Sequence, residues 1–297
     1  MAKVSICIPC YNNASEVKRL LDSIITQDYR DYEVIISDDS TNNEIEEMIG
    51  NRYNELVDYH HNSKALGHIY NWNAALSYAS GEYIKIMFSD DWFSYPDSLG
   101  KFVKMMDGHP EADFVFSGNF QVSESSSYAR AATPEYIEEL QKDYRYLFVS
   151  NLVGAPSNTM YRRSTGTVFD EKSNWASDVF LYFEVLKHRK SFVYTTEPLI
   201  SIGIHENQYT ESFKRKDKRI SDDYCYMYMK YGLCESEICK QHLKKEYLLT
   251  YYRNPIVAGN CGYNVYIYTI ELITHWLKDT LWSYTKALFR KLKGKYR

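Results

Sequence analysis

Tyr83-Ile84-Lys85-Ile86-Met87-Phe88-Ser89 runs into Asp90-Asp91, and the shorter Val34-Ile35-Ile36-Ser37 runs into Asp38-Asp39. Both are apolar runs of strand length, and each ends in two adjacent carboxylates. In an open α/β sheet, ligands bind outside the carboxyl ends of the strands, so two such ends on neighbouring strands converge on one crevice. One pair can read a nucleoside. The other can hold a hard divalent cation, which takes oxygen ligands and keeps positions open for water and phosphate. Together the pairs point to a nucleotide-diphosphate site, although either alone also reads as a solvated turn.

Working outward, Val4 to Ile8 reads as a first strand, followed by a turn at Pro9 to Asn13. Val17, Leu20, Leu21, Ile24 and Ile25 then repeat at helical spacing, with Asn13 or Ser15 as the N-cap. Ile45, Met48 and Ile49 mark a second helix, Tyr59 to His61 a short strand, and Ile69, Trp72, Leu76 and Ala79 a third helix with Gly81 as its C-cap. Strands alternating with helices through short links predict a mostly parallel sheet covered on both faces. Leu99 to Met106 adds a helix and Asp113 to Val122 a strand. Ser123 to Ala132 reads as a mobile polar loop and Asn151 to Asn158 as a loop bordering the site. Ser177 to Lys187 reads as a helix, with strands at Phe192 to Tyr194 and Ile200 to Ile204.

From about Asp217 the pattern becomes helical, which puts a boundary near Lys214. The expected division is a first domain over 1–213, with halves at about 1–95 and 96–213, and a helical region over 214–297. In the latter, Tyr266, Ile270, Ile273, Leu277, Leu281, Tyr284 and Leu288 step by three or four residues, widened by Trp276, Trp282 and Phe289. The chain then ends in a basic run from Arg290 to Arg297. Glu271, Lys278 and Asp279 interrupt any uncharged stretch long enough to span a bilayer. Packing on the catalytic domain, a helix lying on a membrane surface and an oligomer seam are all compatible with this stripe.

A net charge of −4 over 297 residues does not advertise nucleic-acid binding. The 29 tyrosines fit sugar stacking or a biased composition equally well. The N-terminal apolar run is broken at Pro9, too short for a signal-peptide core, so a cytoplasmic location is expected. Cys7 and Cys10 have a redox-like spacing but fall on a strand and its exit, where core thiols are expected.

Pro9-Cys10-Tyr11-Asn12, Ile36-Ser37-Asp38-Asp39-Ser40, Gly81-Glu82-Tyr83-Ile84, Ser89-Asp90-Asp91, Phe169-Asp170-Glu171 and Trp175-Ala176-Ser177-Asp178 occur in the order found in family 2 glycosyltransferases, which the chain resembles over residues 3 to 210. The resemblance implies a GT-A fold: a Rossmann-like, mostly parallel α/β sheet flanked by helices, here with a C-terminal helical region. It also implies transfer of a sugar from a UDP-sugar donor to a glycan or lipid-linked glycan acceptor, with inversion, in bacterial cell-surface polysaccharide synthesis at the inner face of the cytoplasmic membrane.

Residue by residue, the resemblance puts Pro9, Tyr11, Asn12, Asp38 and Asp39 on the nucleotide, Tyr11 stacking on uracil and Asp39 accepting from its N3–H. Asp90 would contact ribose or a metal-bound water. Asp91 would ligate Mn²⁺ or Mg²⁺ with His205 as a further ligand, and Ser89 stands where the family's metal motif has its first Asp. Asp178 would be the base that takes the acceptor's proton, with Trp175 flooring the acceptor site. The helix that often carries a phosphate-binding Arg here offers His68 and Trp72. A sugar nucleotidyltransferase would want a Gly-rich basic loop after the first strand, which Pro9 to Asn13 is not. A non-catalytic carbohydrate-binding or scaffold protein of the same fold would have no need of the acidic set.

Overall fold

The computed structural model describes residues 2–206, 208, 213 and 217–293, and for 251, 252, 279, 283, 284 and 287–293 the backbone alone. It divides into two compact units, Met1–Ser212 and Phe213–Arg297. Lys214, where the sequence places the boundary, lies outside the described residues, as do the last four residues of the basic tail.

The first unit runs β1 (Val4–Cys10), α1 (Ala14–Ile25), β2 (Tyr32–Asp38), α2 (Glu44–Arg52), β3 (Val57–His61), α3 (His68–Ser77), β4 (Tyr83–Ile86), β5 (Trp92–Phe93), α4 (Ser98–Gly108), β6 (Phe114–Val122), β7 (Ser127–Arg130), α5 (Pro134–Lys142), β8 (Thr159–Arg162), α6 (Ser177–Arg189) and β9 (Phe192–Gly203). All strands join one sheet in the order β3-β2-β1-β4-β8-β6-β9-β5, with β7 hung on β6. The β3-β2-β1-β4 half is parallel throughout. Beyond it β8 runs antiparallel to both neighbours, and β6 and β9 resume parallel pairing. Alternating β-α units build the parallel half because each crossover helix has an apolar stripe to lay on the sheet. In α1 that stripe is Val17, Leu20, Leu21 and Ile24, all buried. Each such side chain contributes roughly 1.5–3 kcal/mol relative to exposure.

Register brings the site together. Cys10 pairs with Asp38 and Asp38 with His61, so β1, β2 and β3 end on one line. The two-residue β5 pairs antiparallel with Ile200 and Ser201, which sets the Asp90-Asp91 turn against the end of β9.

Several local expectations differ. Ser123 to Ala132 carries β7, the return arm of a hairpin on β6, rather than a loop without structure. The two short strands expected near Phe192 and Ile200 form one strand, which follows β6 across an irregularity at Ser117 to Asn119. Gly81 does not cap α3, which ends at Ser77; its N–H donates to Ser5 Oγ at 2.8 Å instead. Asn13 is the N-cap residue of α1 by position, yet its side chain makes no cap bond and turns to Ser89.

The second unit is helical: α7 (Lys218–Lys230), α8 (Glu237–His242), a π-helical stretch over Leu243–Tyr252, α9 (Pro255–Asn260) and α10 (Val265–Lys293). Among the described residues no helix is long and apolar enough to cross a membrane. Among the described side chains of α10 the buried one is Tyr268, and Lys244 ties the helix to the π stretch through Glu271 at 3.0 Å. Tyr266, Ile270, Ile273, Leu277 and Leu281 all lie on the exposed side. The side chains of Tyr284, Leu288 and Phe289 are outside the described set.

Candidate active site

At the first strand end the acidic pair is tied into protein. Asp38 is fully buried; its Oδ1 accepts from Ser40 N–H at 2.8 Å and its Oδ2 from the Tyr59 hydroxyl at 2.7 Å. Asp39 accepts from Leu66 N–H at 3.0 Å, Gly67 N–H at 2.8 Å and Asn62 Nδ2 at 2.9 Å. A carboxylate has about four lone-pair sites, so Asp39 holds the segment before α3 with nearly its whole capacity. A direct contact to a base would require one of those donors to give way.

The facing turn is laced to this pair by Asn12, which takes the left-handed conformation that Asn tolerates, at φ 50°. Its N–H donates to Ser40 Oγ at 2.8 Å, and its Oδ1 accepts from Thr41 N–H at 3.0 Å. Tyr11 is left projecting, 56 % exposed, as an aromatic face at the rim. Pro9 is buried inside β1 opposite Ser37 and shapes the strand rather than the rim.

At the second strand end the two carboxylates part. Asp91 turns inward and is 2 % exposed. Its Oδ1 accepts from Gly203 N–H at 3.2 Å, and the Ser157 hydroxyl nearby favours its charged form. Behind it lies Lys85, fully buried in β4, its ammonium donating to the carbonyls of Ser157 and Thr159. Burial pushes the Asp91 carboxyl well above its usual range and the Lys85 amine well below, while the attraction between them opposes both shifts.

Asp90 turns outward, and its Oδ2 lies 3.1 Å from His205 Nε2, with both side chains partly exposed. Gly203 permits this approach: a Cβ there would sit 2.5 Å from the Asp90 carbonyl oxygen. That carbonyl also accepts from Arg19 Nη2 at 2.7 Å, while the same guanidinium covers the Trp92 ring at 3.9 Å. A carboxylate oxygen and an imidazole nitrogen at this spacing are a donor pair suited to Mn²⁺. Two protein ligands are what a cation shared with substrate phosphates requires. Among the described residues no third acidic, His or Cys side chain joins them.

The residues expected to face the acceptor lie on α6 and just before it. Asp178 lies in its first turn, where the helix dipole favours an anion. Its Oδ1 accepts from Val179 N–H at 2.8 Å and its Oδ2 from Asn151 Nδ2 at 2.7 Å. Trp175, just before the helix, is 37 % exposed. On α3, Trp72 packs against Phe88 and Phe169, with centroids 4.8 Å away in each case, so it joins the second strand end to the segment leading into α6. Burial lowers the pKa of His68 on the same helix.

Sequence reasoning placed Asn151 and Ser157 in a loop bordering the site but gave neither a role, and it missed Arg19 and Lys85. A lysine inside an otherwise apolar strand was the available signal for Lys85; Arg19 carries no pattern. Cys7 and Cys10 are buried free thiols, and burial raises both pKa values.

The fold has known counterparts. The family model for glycosyl transferase family 2 matches residues 5–166. MJ1057 of Methanocaldococcus jannaschii, an uncharacterized glycosyltransferase, is 26 % identical over 221 residues, covering 72 % of this chain and 75 % of that protein. The putative colanic acid biosynthesis glycosyl transferase WcaA of Escherichia coli is 24 % identical, covering 71 % and 77 %. The abequosyltransferase RfbV of Salmonella typhimurium is 41 % identical over a shorter stretch, 30 % of this chain and 28 % of its own.

Among solved structures, S. aureus TarS 1-349 in complex with UDP-GlcNAc superimposes with a TM-score of 0.65 at 18 % identity, covering 86 % of this chain and 75 % of that one. The mannosyltransferase PcManGT of Pyrobaculum calidifontis, in complex with GDP-Man and Mn²⁺, gives 0.57 at 17 % identity, covering 88 % and 73 %. The shared architecture is the GT-A fold. With its model matched over more than half of the residues, the chain belongs to glycosyl transferase family 2.

Proposed function

We propose that this glycosyltransferase moves a sugar from a UDP-sugar to a hydroxyl of a glycan or lipid-linked glycan in bacterial surface-polysaccharide synthesis, by one inverting displacement. The observation that carries the reading is the outward pair Asp90 and His205, 3.1 Å apart, at the end of the parallel half of the sheet. Tyr11 offers a face for the base. The likeness to TarS with UDP-GlcNAc favours uridine over the guanosine of the mannosyltransferase complex.

Asp90 and His205 are the ligands we assign to Mn²⁺ or Mg²⁺; Asp91, first expected in that role, serves as the buried anchor behind them. When bound there, the cation offsets charge building on the departing diphosphate. Asp178 accepts the proton of the attacking hydroxyl as the new bond forms, which lets a carboxylate serve despite the much higher pKa of a sugar alcohol. Arg19 holds the Asp90 backbone, and Trp175 borders the acceptor.

The exposed stripe of α10 supports work at a membrane surface. Over residues 265–297, Lys278, Lys286, Arg290, Lys291, Lys293, Lys295 and Arg297 face only Glu271 and Asp279 in the balance of charge. Each basic residue near an anionic bilayer contributes about 1 kcal/mol. Exposed Trp276, Trp282 and Tyr266 are side chains that favour the interface. The same positive charge on two copies opposes a dimer through this stripe. Flotation with phosphatidylglycerol vesicles is expected to fail for the Ile270→Glu/Leu277→Glu variant; equal flotation of both proteins would contradict the assignment.

The donor is tested by nucleotide release from UDP-, GDP- and dTDP-sugars with Mn²⁺ and with a chelator. Metal-dependent UDP release from one sugar is expected. A product that keeps the donor's anomeric configuration would overturn the inverting mechanism.

A further inference from the structure

Asn151 opens the loop ahead of β8 that the sequence places at the border of the site, without a role of its own. Its Nδ2 donates to Asp178 Oδ2 at 2.7 Å, while its Oδ1 accepts from Gly154 N–H at 3.3 Å. The second bond settles which end of the amide meets the carboxylate, since a flipped amide would set oxygen against oxygen. Gly154 makes that turn possible. It sits at φ +88°, and a Cβ there would be 2.4 Å from Asn158 Nδ2. Its carbonyl accepts from the Tyr182 hydroxyl at 2.8 Å. Tyr182 is one turn beyond Asp178 on α6, so the loop is fixed to that helix at two successive turns.

Farther along, the same loop reaches the other side of the site. Ser157 Oγ accepts from Phe88 N–H at 2.9 Å, and the Ser157 carbonyl receives Lys85. One short segment thus touches both the carboxylate on α6 and the turn that presents Asp90.

We propose that Asn151 is the positioning residue for Asp178, holding its carboxylate in one rotamer and favouring its ionised form by donating to it. This rests on Asp178 being the base. A donor to the charged form lowers a carboxyl pKa, and removing it lets the pKa rise. Among the described residues, Tyr136 from α5 and Tyr182 from α6 itself interact electrostatically with Asp178. Burial raises both phenols, so they stay neutral across the working range and do not compete for its charge.

The test is a carbon-13 carboxyl titration of aspartate-labelled full-length protein, with Asp178→Asn identifying the resonance, for the parent, Asn151→Ala and Asn151→Asp. The midpoint of Asp178 is expected to rise by about half a unit to one unit in Asn151→Ala. It should rise further in Asn151→Asp, where a like charge replaces the donor. The near-isosteric aspartate keeps the test valid should the alanine variant not fold. In parallel, kcat with the UDP-sugar that turns over should fall about tenfold in Asn151→Ala, with UDP affinity unchanged within about twofold. An unmoved midpoint in both variants overturns the positioning role. Full turnover by Asp178→Asn would instead remove the base assignment beneath it, and turnover and titration separate these two failures.

Discussion

The chain has the same dipeptide at two strand ends and uses it in opposite ways. Asp38 and Asp39 are both closed off by protein donors, from Ser40 and Tyr59 in one case and from Leu66, Gly67 and Asn62 in the other. Asp90 and Asp91 divide the labour: the inner residue faces Gly203, Ser157 and the Lys85 region, while the outer one meets His205. The first pair shapes the crevice and the second presents a charge to it. Adjacent carboxylates therefore carry no fixed meaning. Asp38 ends β2, whereas Asp90 lies in the turn between β4 and β5, so the backbone at each place decides which way the side chains point.

The largest effect should come from the inner residue of the second pair. Asp91→Ala takes the acceptor from the buried Gly203 N–H and removes the carboxylate whose charge favours Lys85 as an ammonium; an unsatisfied buried donor alone costs about 1–3 kcal/mol, before the loss at Lys85 is added. Urea unfolding checks this, and adding Lys85→Met to the variant should recover part of the loss. A midpoint equal to that of the parent would place Asp91 with the surface carboxylates. Next is Asp90→Ala, expected to lower metal-dependent turnover by about 10²–10³-fold, the scale seen when one charge-stabilising group is lost. Its melting temperature should stay near the parent's, because Asp90 and His205 are partly exposed and a surface pair contributes about 0–1 kcal/mol.

Asp38→Ala should show the converse. Leaving the Tyr59 hydroxyl and Ser40 N–H without their acceptor costs about 1–3 kcal/mol of stability, read by the same urea curves. The loss of activity should follow the loss of fold and no more. Tyr11→Ala should weaken UDP binding by roughly tenfold, the low end of base stacking on an aromatic. Calorimetry with UDP in Mn²⁺ measures it, and unchanged affinity would take Tyr11 off the base.

How much of this was readable in advance follows from the same physics. The parallel half of the sheet was visible because β1, β2 and β4 are apolar runs and α1 shows its stripe at Val17, Leu20, Leu21 and Ile24. Asp178 was visible as an acid at a helix start. The two-residue β5 and four-residue β7 and β8 were not, since they are too short for a period to show and, unlike the equally short β4, do not sit in a longer apolar run. The directions of Asp90 and Asp91 depend on β5 pairing with β9 and on Gly203 admitting the Asp90 carbonyl, a contact between residues far apart in the chain. The loop of Asn151 was legible but its contact was not, for the same reason: its partner is 27 residues away, and only the fold brings the two together. The stripe of α10 was legible as a stripe, but spacing cannot say which way a helix turns. Its exposed side proved to be the apolar one, with Tyr268 turned inward.

The contrast between the pairs is tested most directly by UDP binding, measured by calorimetry for the parent, Asp90→Ala and Asp38→Ala, each with Mn²⁺ and with a chelator. The account predicts that Mn²⁺ tightens UDP binding by the parent and by folded Asp38→Ala, and that Asp90→Ala binds UDP equally weakly under both conditions. Metal-enhanced binding by Asp90→Ala, or its loss in a folded Asp38→Ala, would contradict the assignment of the outward carboxylate to the metal.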